Sequence, residues 1–184
     1  MAERLVRADS ADQKASEGLA RSHGSLGEVL VRSGRVDEAI ASFEEGSRLY
    51  SAMLDRNPTN PEYANMLGNT RRRLCSVIDA AGRPDEALES CLAAERALER
   101  AIAAMEANAV ARANLAATYV QTARVYRRLA SRADLTAANR LRGYARSRYR
   151  DALRVFRELD QTDAVAELRA DSVAAELATL PNGR

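Results

Sequence analysis

Few side chains in this sequence are of types that do chemistry, and their spacing limits what they can do. His23 is the only histidine, and Cys75 and Cys91 are the only cysteines. A catalytic centre needs an acid, a base or a nucleophile held against partner groups, and no local pattern brings His23 toward one. A structural zinc site takes four ligands, more than one His and two Cys supply without carboxylates or a second chain. The paired acids Asp37-Glu38, Glu44-Glu45 and Asp85-Glu86 fall at helix starts or on polar faces, where capping and solvation account for them. There is no phosphate-binding glycine loop, no Gly-x-Ser-x-Gly and no His-Glu-x-x-His. The expectation is a non-enzyme with no catalytic residue, no metal and no cofactor. Cys75 and Cys91 read as core-packing residues of a reducing compartment, without a disulfide framework, on two helices that can face each other; a redox pair is the lesser alternative.

What remains is arginine. The chain is nearly neutral, at +2, but residues 120–157 carry 11 Arg against Asp134 and Asp151, while the segments on either side are net acidic. Such a stretch can draw acidic partners. It also fits a solvated helix face in an arginine-rich chain, since Lys14 is the only lysine.

The elements that would position these arginines are helices. With 46% hydrophobic and 29% charged residues, the chain has the balance of a folded domain. Ala, Leu, Arg and Glu dominate, all good helix formers, and aromatic or β-branched runs are too few for a sheet. No apolar run approaches the roughly 20 residues that span a bilayer, and Met1-Ala2-Glu3-Arg4-Leu5 lacks a signal-peptide core. A cytoplasmic location is expected.

The helices repeat. Gly34-Arg35-Val36-Asp37-Glu38-Ala39 recurs 48 residues later as Gly82-Arg83-Pro84-Asp85-Glu86-Ala87. Leu26-Gly27-Glu28-Val29-Leu30, Leu74-Cys75-Ser76-Val77-Ile78 and Thr122-Ala123-Arg124-Val125-Tyr126 stand in the same register. Leu26, Val29 and Leu30 form an apolar stripe at i, i+3, i+4. Gly34 suits a left-handed C′ position, and Pro84 suits the first turn of a helix. Small residues mark the predicted crossings: Gly27, Cys75 and Ala123 on the first helix of each unit; Ala39, Ala87 and Ala145, with Gly46, Ala94 and Ala152, on the second. Phe43, Cys91 and Tyr149 fill the space beside them. Helices are predicted over 10–33, 36–56, 60–81, 84–106, 109–131, 139–159 and 163–179. The units run over about 20–67, 68–115 and 116–160, with an insertion at 131–141 and a capping helix at about 163–180.

These positions resemble the tetratricopeptide repeat, whose pattern has Leu-Gly on helix A and Ala, an aromatic and Ala on helix B. His23, Arg71 and Tyr119 stand at the large helix-A position. The repeat is longer than the usual period of about 34 residues, and resembles long-period arrays at the C-terminal ends of bacterial signalling proteins, including eukaryotic-like Ser/Thr kinases. The resemblance implies an all-α, right-handed solenoid of three antiparallel helix pairs plus a capping helix. It implies a protein-binding scaffold whose helix-A faces form a concave groove. Arg21, Glu28, Val31 and Arg32 would line it from the first unit, with Asp79 and Val120 farther along. Its centre would be Asn69, Arg72, Arg73, Ser76, Gln121, Arg124, Arg127 and Arg128, a basic surface for an acidic peptide or a C-terminal carboxylate. Ser76 and Gln121 stand where family members that clamp a peptide C-terminus carry Asn, so that clamp is incomplete. Self-association is the alternative, followed by nucleic acid, which the scarcity of exposed aromatics disfavours.

Overall fold

The described residues form seven helices: α1 (Ala2–Arg32), α2 (Val36–Arg56), α3 (Pro61–Ala80), α4 (Pro84–Ala104), α5 (Ala109–Ala130), α6 (Leu135–Leu159) and α7 (Ala164–Ala178). The computed structural model describes residues 2–159 and 164–181, with side chains at 12–159 and 170–181. Among the described residues there is no strand.

Local chemistry explains where the helices start and stop. Gly34 and Gly82 adopt φ of +72° and +81°, a region open to glycine without a Cβ clash. After α1, the Arg35 N–H donates to the Leu30 carbonyl at 2.9 Å and the Gly34 N–H to Val31 at 3.0 Å. Arg83 to Ile78 and Gly82 to Asp79 repeat this pair of bonds after α3, so the terminal carbonyls of both helices are satisfied. Pro61 and Pro84 open α3 and α4, where a missing N–H costs nothing. The Asn60 carboxamide accepts from the N–H groups of Glu62 and Tyr63 at 2.9 and 3.1 Å, and Asn108 accepts from Ala111 at 3.0 Å. The stretch read as an insertion is a short turn followed by the opening of α6, which begins at Leu135 rather than 139. α1 starts well before the predicted residue 10. Residue 163, the predicted start of the last helix, lies outside the described residues.

Each helix packs on the next in chain order, and α3 also meets α5. The stack is therefore three hairpins, α1–α2, α3–α4 and α5–α6, closed by α7 on α6. All nine small crossing sites are buried. A Cβ at Gly27 would come within 2.8 Å of the Phe43 ring, and one at Gly68 within 2.5 Å of Leu98, so both crossings are set by the absence of a side chain. Phe43, Cys91 and Tyr149 are all buried beside them.

Two expectations fail. Cys75 and Cys91 are joined by a disulfide and are not free packing thiols. A small crossing residue of α3 faces a filler position of α4, and the resulting Cα–Cα distance of 5.2 Å is within disulfide reach. The apolar stripe of the first unit is also not all core. Leu30 is buried, but Leu26 and Val29 are 49% and 47% exposed, whereas their register equivalents Leu74 and Val77 are 5% and 9% exposed. In the second hairpin, α2 covers that face; among the described residues no helix covers Leu26 and Val29.

Candidate partner-binding groove

The helix-A surface carries two adjoining clefts. The first, of about 400 Å³, lies between α1 and α3 and is lined by Glu28, Val31, Arg32, Arg72, Arg73 and Ser76, among others. The second, of about 590 Å³, lies between α3 and α5 and is lined by Ser76, Asp79, Gln121, Arg124, Arg127 and Arg128, with Glu176 of α7 at its far wall. Ser76 lines both. Arginines three and four residues apart on α5 share a helix face, which is why Arg124, Arg127 and Arg128 converge.

The electrostatics differ from a bare basic groove, because the chain supplies its own counter-charges. Arg73 pairs with Glu28. The Arg128 Nε lies 3.1 Å from the Asp79 carboxylate, and its Nη1 donates to the Asp79 carbonyl at 2.9 Å. Gln121 donates to the other Asp79 oxygen at 3.3 Å. Arg124 grips Glu176 with two nitrogens, the Nε bond being 3.0 Å. Arg127 lies 3.7 Å from the same carboxylate, which also accepts from the Tyr149 hydroxyl at 2.9 Å. The hydrogen bond that Arg124 donates to Glu176 holds the Glu176 carboxyl below its ordinary range and raises the Arg124 guanidinium above its own. Arg72 donates to the Asn69 side chain at 2.8 Å. The eight residues expected at the centre thus lie on two neighbouring helices, most of them along the two clefts, and several contact acids of the chain.

Glu176 was not legible as a groove residue, because it sits on a helix the repeat pattern does not cover. A second acid outside the sequence reading is Glu95 of α4, only 3% exposed. It accepts from the Thr122 hydroxyl at 2.6 Å and from Arg148 at 2.9 Å. Arg148 also lies over the Tyr119 ring at 5.2 Å. Burial raises Glu95 above the ordinary glutamate range, against the opposing pull of Thr122 and Arg148. The Tyr119 hydroxyl is pushed up to about 12, first by burial and then by Glu99 and Glu95. This network ties α5 and α6 of the third hairpin to α4 of the second. His23 is partly buried on α1, where its carbonyl accepts from Ser42 at 3.0 Å. Among the described residues no three of His, Cys, Asp and Glu gather as a metal site, and no helix is long and apolar enough to cross a membrane.

No protein-family model matches the chain, and no curated protein matches its sequence. Solved structures do. The crystal structure of the de novo designed helical repeat protein DHR64 is similar over 91% of this chain and 95% of that one, with a TM-score of 0.51 and 18% identity. The DHF79 filament covers 94% of this chain with a TM-score of 0.46 and 19% identity, over 88% of its own chain. The likeness to the first is one of fold: a helical repeat.

Proposed function

We propose that the chain is a non-catalytic, tetratricopeptide-type scaffold that holds a protein partner along the helix-A groove, and that its preferred ligand is an acidic segment. Support comes from the fold, which is generally suited to protein binding, and from the register of the small crossing residues. The single observation that carries the ligand class is Glu176: at the far wall of the second cleft, a carboxylate already pairs with both Arg124 and Arg127. Guanidinium groups bind carboxylates through a planar fork, so the same donors suit an acidic side chain or a peptide C-terminus. The long-period resemblance supports a place in a larger bacterial signalling protein.

The test is fluorescence anisotropy with a labelled oligoglutamate peptide and an oligolysine control. Oligoglutamate binds, more weakly as salt rises, and Arg124→Glu/Arg128→Glu weakens it by about tenfold or more. Equal binding by that variant, or no binding by the folded wild type, removes the acidic-segment reading. A DNA oligomer bound more tightly than the peptide, with a steep salt dependence, would replace it with nucleic-acid binding.

A further inference from the structure

The bare face of α1 is the least explained surface of the molecule. Ala15, Leu19, Ser22, Leu26 and Val29 follow one another at spacings of four, three, four and three residues, the seam of a two-helix packing. All five are exposed, and Leu19 is 50% exposed, as open as Leu26. At about 100° per residue, these five and the exposed Gly18 and Ser25 fall within about 60° of Ser22. The charged residues of the same stretch, Glu17, Arg21, Glu28 and Arg32, all lie outside that arc. A face that is covered in the second hairpin is therefore open in the first, apolar and free of charge.

We infer that this face pairs with a second copy of the chain, α1 against α1, in an antiparallel two-fold dimer crossing at Ser22. Three observations choose a second copy. The seam is self-complementary: crossing at Ser22 sets Leu19 beside Ser25, Leu26 beside Gly18 and Val29 beside Ala15, a large side chain on a small one at each level. The seam is uncharged, so identical faces meet without like-charge repulsion. The opposite end of the stack is covered by α7 on α6, so association closes at two rather than growing head to tail. The contact runs over about 21 Å of helix, at the low end of specific interfaces, so a dissociation constant on the order of 10 µM is expected. This pairing is independent of the groove.

Sedimentation velocity of the whole chain tests it. At about 200 µM the wild type runs at twice its 20.1 kDa. Leu26→Glu, at a solvent-facing position, keeps its helical circular dichroism and dissociates at least about tenfold more readily. Ser22→Cys, on the two-fold axis, forms a covalent dimer on mild oxidation faster than the exposed control Glu89→Cys. A monomeric wild type at that concentration overturns the proposal and leaves the face to a helix of another protein or of a longer chain. A dimer unmoved by Leu26→Glu, or Ser22→Cys cross-linking no faster than the control, overturns it as well.

Discussion

The second and third hairpins share one backbone register and fill it with opposite chemistry. Where α3 meets α2 and α4 the core is dry: Leu74, Val77 and Ile78 pack with Ile40 and Phe43 around the Cys75–Cys91 bond. In the third hairpin Thr122 stands where Leu74 stood, and its hydroxyl leads to Glu95 and Arg148. The helical crossing accepts either filling because the small residues set the spacing. The two differ in how they fail. An apolar core loses contacts a few at a time, whereas a buried ion pair broken on one side strands a charge.

Removing the disulfide is the largest blow to the dry hairpin. Cys75→Ala/Cys91→Ala opens a loop with a sequence separation of 16 residues, worth about 3 kcal/mol on loop-entropy grounds. Urea denaturation in the presence and absence of reductant measures it: the wild-type midpoint drops with reductant and the variant's does not. Identical wild-type midpoints would show that the bond adds nothing to the fold.

Arg148→Met attacks the polar hairpin. It leaves Glu95 without its cation and costs about 2 kcal/mol at pH 7, less than a fully buried pair because Arg148 is partly exposed. The loss shrinks toward pH 5. The folded Glu95 carboxyl already sits above its unfolded value, so the folded state takes up a proton first and its stability falls as pH rises. Adding Glu95→Leu restores most of the loss. Urea midpoints at the two pH values decide; a pH-independent deficit would contradict a stranded carboxylate.

Glycine substitutions sharpen the role of spacing. Gly27→Ala drives a methyl group toward the Phe43 ring and costs about 1–3 kcal/mol. Gly143→Ala, with open space around it, gains about 0.5–1 kcal/mol of helix propensity. Thermal melts that moved in the same direction for both would undo the argument that close crossings select the small residues.

The smallest effect is at Glu176, whose sign is opposite to that of Glu95. The hydrogen bond from Arg124 lowers its carboxyl below the ordinary value of 4.5, so its stabilisation is present above that value and fades as pH falls through the lowered one. Glu176→Gln should flatten that acid limb, seen in melts between about pH 5 and pH 3. An unchanged limb would show that another acid produces it.

Most of the helices, their turns and the hairpin register were readable in the amino-acid order, because they rest on short-range causes. Glycine with positive φ, proline in a first turn, and small residues 48 apart act through backbone geometry and local periodicity. The groove helices were readable for the same reason: Arg72, Ser76, Gln121 and Arg124 occupy defined positions on repeated helices. The charge state of the groove was not. Arg124 meets Glu176 across 52 residues, and only the docking of α7 brings them together. The Cys75–Cys91 bond likewise depended on how two helices cross, and the exposure of Leu26 and Val29 on the lack, among the described residues, of a helix packed over that face of α1. Periodicity marks which face of a helix is apolar; what covers that face, and which charges meet across it, is decided by neighbours distant in the chain.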